Sequence, residues 1–343
     1  MQLIQNNKNI CEVTMALNFS IQLDSIAKPR SYLDPGTVYD LLILGAGPAG
    51  LNAALYGSRK GLQVGILGLK KGGQAVDTTY IDNVLGMPGQ TGEGLMRQFW
   101  EHVEANDVPI QEEAEIVEYH PEGDLHEVIL SSGEHYRSRT LLIATGATPR
   151  RLGIPGEQKY FGKGVAYCAI CDGPLFRGKD VFVAGGGNSA VEAALDLAKL
   201  ARTVTIIHRS RFRADKILTD QLLDKSNIMI QLNTQIIEIL GADQMTGILA
   251  ENTLTSEQRI LEGQGLFVEI GLNPSTKPFL PHLATNQQGE IMATVRGETN
   301  IPGVFAAGDV TDSPYKQIIT AMGDGATAAL AANDYINQMH SER

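Results

Sequence analysis

Cysteine is scarce here, with three in 343 residues. Three cannot build a disulfide framework, which excludes the small stapled secreted folds and fits a reducing, cytoplasmic setting. No apolar run is long enough to span a bilayer, so no membrane partner is expected. Positive charge is also short: 28 Lys and Arg face 39 Asp and Glu, a net −11. That balance argues against a nucleic-acid or anionic-membrane surface. The opening stretch lacks the basic and apolar regions of a secretory signal. Residues 1–37 read as an extension, with Cys11 a bystander thiol and Met15 an alternative start. Glycine, by contrast, is plentiful at 37 residues, so many backbone positions can take special geometry or approach a ligand. The length exceeds what one core usually serves, and two domains are expected.

The first strong strand is "YDLLILGAG", a continuous apolar run of the kind buried on both faces of a parallel sheet. A helix, "PAGLNAALYGSRKGL", and a second strand, "QVGILGL", complete a βαβ unit. "KDVFVAGGGNSAVEAALDLAKLARTVTIIHR" repeats that plan from Lys179 to Arg209. Between them, "EVILSSGEHYRSR" alternates like a hairpin and "TLLIATGA" is another buried strand. Two Pro/Gly-rich segments, Thr148–Gly156 and Gly271–His282, bracket the second unit. The fold class expected is α/β, with two Rossmann-like, three-layer ββα dinucleotide-binding domains, the second inserted into the first. The boundaries read as 38–149 with 282–343 for the outer domain and 150–281 for the inner one.

Each unit carries a glycine turn between strand and helix. Gly45, Gly47 and Gly50 of "GAGPAG" give GxGxxG; Gly185, Gly187 and Ala190 of "GGGNSA" give the GxGxxA variant, with Asn188 and Ser189 opening the helix. The first glycine permits the turn, the second lets a pyrophosphate approach, and the third position packs helix on strand. Two such sites suggest two dinucleotides, a tightly held flavin and a diffusing nicotinamide. An acid at the end of the second strand would favour NADH. The inner unit instead has His208 followed by Arg209, Arg211 and Arg213. Guanidinium forks suit a 2′-phosphate, so NADPH is the expected donor.

The other two cysteines form a CxxC, Cys168 and Cys171, with Asp172 directly after. Zinc normally takes a second such pair, and no other CxxC exists. A CxxC thiol can be a thiolate near neutral pH, and Asp172 can give or take the proton as it forms or leaves. Flavin, nicotinamide and CxxC would make a chain of two-electron carriers. The CxxC lies just before the inner glycine turn, so one rigid body would carry both disulfide and nicotinamide. If both need the flavin, that body must pivot on its two linkers.

Eight blocks sharpen this. "LGAGPAG", "GGQAVDTTYIDNVLG", "IATGATPR", "YCAICDGPLF", "GGGNSAVEAA", "HRSRFRADKI", "GLFVEIGLNPST" and "GVFAAGDVTDSPYKQIITAMGDGATAAL" occur in an order that resembles the low-molecular-weight flavoprotein thioredoxin reductases. The likeness covers about residues 38 to 338. It is close to the flavoprotein subunit of alkyl hydroperoxide reductase without that protein's N-terminal thioredoxin-like domain. The resemblance implies FAD at Gly45, Gly47, Pro48, Ala49 and Gly50, and at Gly73, Gln74 and Asn83. It extends to Ala144, Thr145 and Gly146, to Gly308 and Asp309, and to Lys316, Gln317 and Ile318. It implies that Cys171 lies nearest the flavin, disulfide-bonded to Cys168, with Asp172 as acid/base. It further implies a homodimer with thioredoxin or a thioredoxin-like protein as partner. One departure stands in the donor segment: Ser210 replaces the second Arg of the pattern typical of NADPH users, with Arg211 beside it. The other readings are ferredoxin or NADH as donor, an oxygen-dependent dithiol oxidase, and a non-catalytic flavin redox sensor.

Overall fold

The apolar run at the start of the first motif forms strand β1 (Val38–Leu44), and its alternate side chains serve two different cores. Leu41 and Ile43 face a helical layer, whereas Leu42 and Leu44 face a hairpin layer. That double burial is why the run lacks a polar alternation. The structure, a computed structural model, describes residues 32–78 and 80–341. The expectations for Cys11, Met15 and most of the extension therefore lie outside the described residues.

After β1 come α1 (Pro48–Arg59), β2 (Val64–Leu67), α2 (Gly92–Glu104), β3 (Ile110–Gln111), β4 (Ile116–Glu122), β5 (Leu125–Leu130) and β6 (His135–Ile143). The chain continues through β7 (Ala147–Pro149), β8 (Val165–Ala166), α3 (Ala169–Asp172), β9 (Asp180–Ala184), α4 (Asn188–Leu197), β10 (Thr203–Ile207), α5 (Lys216–Leu223) and β11 (Ile228–Gln231). Then follow β12 (Thr234–Gly241), β13 (Met245–Asn252), β14 (Gln258–Glu262), β15 (Gly265–Val268), β16 (Leu272–Pro274), β17 (Val304–Ala306) and α6 (Ile318–Ser341).

The first sheet runs β3-β2-β1-β6-β5-β4, with β17 also on β6. Strand β6 does two jobs. Its first half pairs antiparallel with β5 (His126↔Ser138), and its second half pairs parallel with β17 (Leu142↔Phe305). The chain's last strand thus returns to the sheet its first strand began. Helices α1 and α6 pack on one face through small residues, among them Ala53, Ala54, Ala328 and Ala332.

The second sheet, β11-β10-β9-β15-β8, is parallel throughout. Val181, Val183 and Ile206 face α4 on one side. Phe182, Leu266 and Val268 face Ile236 and Ile248 of the antiparallel β12–β13–β14 sheet on the other. This is the α/β, three-layer plan expected from the two glycine turns.

The two Pro/Gly-rich segments meet as a two-stranded ribbon. β7 pairs antiparallel with β16, Thr148 opposite Asn273. Arg150 ties its end twice, donating from its backbone N–H to Gly271 O at 2.9 Å and from Nε to Asn273 Oδ1 at 2.9 Å. At the other end Thr145 donates to Ser275 O at 2.8 Å. Both chain crossings between the two sheets therefore share one narrow structure.

Candidate functional site

The outer glycine turn shows why each position is what it is. Gly45 has φ +125°, and a Cβ there would lie 2.1 Å from Ala144 O. A Cβ on Gly50 would lie 1.9 Å from Gly45 O. A Cβ on Gly47 would meet nothing nearer than Gly73 Cα at 3.9 Å, so this glycine keeps open space rather than relieving a clash. Pro48 starts α1 at a position where its missing N–H costs nothing. The residues that the sequence resemblance assigns to FAD gather around this turn. Gly73 abuts Gly47, Gly308 abuts Ala49, and Ala144 to Gly146 follow β6 directly. Gln74 Nε2 donates to Asp309 Oδ2 at 2.7 Å across 235 positions of sequence. Asn83 Nδ2 donates to Gln317 Oε1 at 3.0 Å.

Charge in this cradle is finely set. Burial raises Asp309, and Lys316 and the Gln74 hydrogen bond oppose it. Lys316 Nζ is paired with Glu290 Oε1 at 3.0 Å, both largely shielded. Asp324 on α6 is raised by burial, with the Gly308 backbone and Lys316 opposing. Sequence reading missed Glu290 and Asp324: each reaches the cradle only through the return of the chain, and neither sits in a turn motif. An open turn, a helix N-terminus and converging polar side chains fit a bound FAD.

The inner turn follows the same logic. Gly185 has φ +154° and a Cβ there would lie 2.2 Å from Glu269 O, while a Cβ on Gly187 would meet nothing within 4 Å. Asn188 and Asp215 hold each other through two bonds: Asn188 Nδ2 donates to Asp215 Oδ2 at 2.8 Å, and Asp215 N–H donates to Asn188 Oδ1 at 2.9 Å. Arg213 N–H donates to Gly186 O at 2.8 Å. Ser189 and Ala190 lie in the first turn of α4. His208 lies beneath this turn: it is 7% exposed, stacks parallel on Phe212, and fills the space a Gly186 side chain would need. Burial, then Arg213, lowers its pKa from the ordinary histidine value. The side chains of Arg209, Arg211 and Arg213 are exposed and, among the described residues, none has an ion-pair partner.

Cys168 and Cys171 form a disulfide with Cα atoms 5.3 Å apart. Strand β8 delivers the pair: after Tyr167, Cys168 is the extended N-cap of α3, and its sulfur accepts from Cys171 N–H at 3.1 Å. The disulfide belongs to the second sheet in sequence but faces the first body. Gln317 Nε2 is 3.9 Å from Cys168 Sγ, and Gln317 Oε1 is 3.9 Å from Cys171 Sγ. Burial pushes Asp172 up to about 6, which leaves it able to hold or release a proton near neutrality. His120 and His126 have a zinc-compatible H-x5-H spacing. His126 is buried and bonded through Nδ1 to Tyr119 Oη at 3.0 Å, and His120 faces Glu118. Among the described residues no group of three or more His, Cys, Asp or Glu is placed to hold a metal. No helix among them is long and apolar enough to cross a membrane.

Comparison with known proteins bears on this arrangement. The family model for pyridine nucleotide-disulphide oxidoreductases matches residues 39–325. The chain is 42% identical to an alkyl hydroperoxide reductase subunit of Pseudomonas putida over 320 residues, covering 92% of this chain and 62% of that protein. It is 43% identical to a protein named NADH dehydrogenase from Bacillus subtilis, covering 87% and 58%. The chain thus spans about three fifths of these curated relatives. Among solved structures, thioredoxin reductase from Streptococcus pyogenes is 38% identical with a TM-score of 0.83, covering 88% of this chain and 99% of that one. Thioredoxin reductase from Lactococcus lactis, in what is termed the FR conformation, is 35% identical at the same coverage with a TM-score of 0.61. With two dinucleotide turns and a facing disulfide in place, the chain belongs to the pyridine nucleotide-disulphide oxidoreductase family, and membership implies a flavin and a pyridine nucleotide.

Proposed function

We propose that this chain is a disulfide reductase in which NADPH, by way of FAD, reduces Cys168–Cys171, and the dithiol then reduces thioredoxin or a thioredoxin-like protein. The observation that carries this reading is the contact of both cysteine sulfurs with Gln317, at the mouth of the FAD cradle. The cradle would consist of the residues around Gly45–Gly50, Gln74, Asn83, Asp309 and Lys316–Ile318, in a domain formed by 38–149 and 282–343. Residues 150–281 would form the nicotinamide domain. FAD, when bound, supplies a two-electron relay between nicotinamide and disulfide.

The protein's own groups do the rest. Asp172 holds a proton for the thiolate released when the disulfide opens, and takes it back when the dithiol attacks its partner. Gln317 orients the disulfide at the cradle. The exposed Arg209, Arg211 and Arg213 favour a 2′-phosphate, and Asn188 with Asp215 fixes their loop against the glycine turn. The β7–β16 ribbon would act as a double hinge, turning the nicotinamide site or the disulfide toward the flavin. The difference in TM-score between two thioredoxin reductases of near-equal identity and coverage supports such a pivot. A homodimer in the cytoplasm is proposed on the same likeness.

NADH is the second reading, favoured by the name of the Bacillus subtilis relative. Anaerobic titration of the flavin-loaded protein separates the two donors. Bleaching at stoichiometric NADPH with little at equal NADH is expected; unbleached flavin with NADPH would reject the leading donor. Steady-state reduction of a thioredoxin panel in the same buffers tests the acceptor.

A further inference from the structure

Glu290 reaches the cradle from a loop, and neither a glycine turn nor the CxxC accounts for it. The loop is tightly made. Asn286 Oδ1 accepts from the backbone N–H groups of Gln288 at 2.9 Å and Glu290 at 3.0 Å, and Asn286 Nδ2 donates to Glu290 Oε2 at 2.7 Å. The next residue, Ile291, is fully buried and knits the loop to the segment after Asp309. Its N–H donates to Val310 O at 2.9 Å, and its carbonyl accepts from Asp312 N–H at 3.0 Å. With its backbone fixed on both sides, Glu290 turns its other oxygen, Oε1, to Lys316 Nζ at 3.0 Å. Lys316 is held from two more directions. Its Nζ also donates to Thr311 O. Its carbonyl accepts from Gln317 Nε2 at 2.9 Å, and Gln317 is the side chain that meets both cysteine sulfurs.

We propose that Glu290 is a positioning residue of the flavin site: it fixes Lys316 at the cradle and offsets its charge, and so sets how readily the bound flavin is reduced. This deepens, and rests on, the reading that FAD occupies the cradle.

The Glu290–Lys316 pair is better shielded than Arg139–Asp40 or Arg202–Asp180 in the same chain, so solvent and salt screen it less. Removing one partner of a shielded pair leaves the charge of the other uncompensated. The field of Lys316 already reaches past Glu290, because it opposes the effect of burial at both Asp309 and Asp324. Charge near the ring tunes a bound flavin, and added electrons are held more easily beside net positive charge. Glu290 therefore acts on the flavin through Lys316, by holding it and by cancelling part of its field.

The test is the midpoint potential of the flavin in the FAD-loaded protein, read by its absorbance in equilibrium with indicator dyes. Glu290→Gln keeps the length of the side chain and removes the charge. It should raise the potential, favouring the reduced flavin about tenfold, or about 30 mV for a two-electron couple. Glu290→Asp keeps the charge and should stay within about twofold of wild type in the same equilibrium. A merely structural role would move the Gln and Asp variants together. An unmoved or lowered potential in Glu290→Gln, or equal shifts in both variants, would overturn the proposal. Lys316→Gln removes the opposite charge and should lower the potential. It decides the matter if Glu290→Gln does not load FAD: a potential that rises or stays put in Lys316→Gln would equally overturn the proposal. The readout needs neither nicotinamide nor acceptor protein, so it stands apart from the donor question. Wild-type protein that takes up no FAD would instead contradict the reading of the cradle, and this proposal with it.

Discussion

Single glycines separate folding from binding at the two turns. A Cβ on Gly50 would collide with Gly45 O, whereas one on Gly187 has free space and an ordinary backbone at φ −93°. Gly50→Ala should therefore lose FAD and stability together. Gly187→Ala should fold and keep its flavin, yet raise the KM for NADPH by about tenfold or more, because its methyl fills the approach of the pyrophosphate. Flavin absorbance and steady-state kinetics on the two variants check this. Asp172 makes a second contrast. Its pKa is raised to about 6 by burial. An acid raised in the folded state stabilises below its unfolded pKa and loses that contribution as pH rises through the folded value. Asp172→Asn should therefore be more stable than wild type at pH 8, by about 1–2 kcal/mol after allowing for its partial exposure, with little difference at pH 4. Its turnover should fall about tenfold or more. Denaturant midpoints at the two pH values, beside thioredoxin reduction, read both effects.

Among the elements, those with local signatures were legible in the sequence. β1, α1, β9 and α4 follow from apolar runs and glycine turns; ribbon strand β16 falls inside one Pro/Gly segment and β7 runs into the start of the other. The dual pairing of β6 was not legible, because partners for its two halves come from β5 nearby and β17 more than 150 residues away. The site followed the same divide. Cys168, Cys171 and the glycines declare themselves by spacing. Glu290, in a loop, and Asp324, on α6, are single acids outside any turn motif, and only the return of the chain brings them to the site. His208 reads as a basic residue of the donor loop, yet its ring packs inside, because Gly186 leaves room above it. The β4–β5 hairpin carries its own prediction. His126, bonded to Tyr119, is pushed down to about 4 by burial. A histidine depressed in the folded state stabilises above its unfolded pKa and loses that contribution as pH falls through the folded one. Stability should drop by about 2–3 kcal/mol between pH 7 and 4 on this account, and by clearly less in His126→Asn. Urea midpoints across that range would show it.

For the molecule as a whole, the architecture imposes a geometric problem. The disulfide and the second glycine turn ride on one sheet, joined to the first sheet through the β7–β16 ribbon, and the disulfide meets Gln317 of the first body. In the arrangement seen, the disulfide faces Gln317; on the proposed reading, a nicotinamide held by the same body needs another orientation to reach the flavin. The most direct test is a short bifunctional crosslink between the two bodies, applied in this arrangement to the FAD-loaded protein. NADPH-dependent thioredoxin reduction should fall to background while flavin content and the Cys168–Cys171 disulfide remain. Undiminished turnover in the fully crosslinked protein would contradict the account.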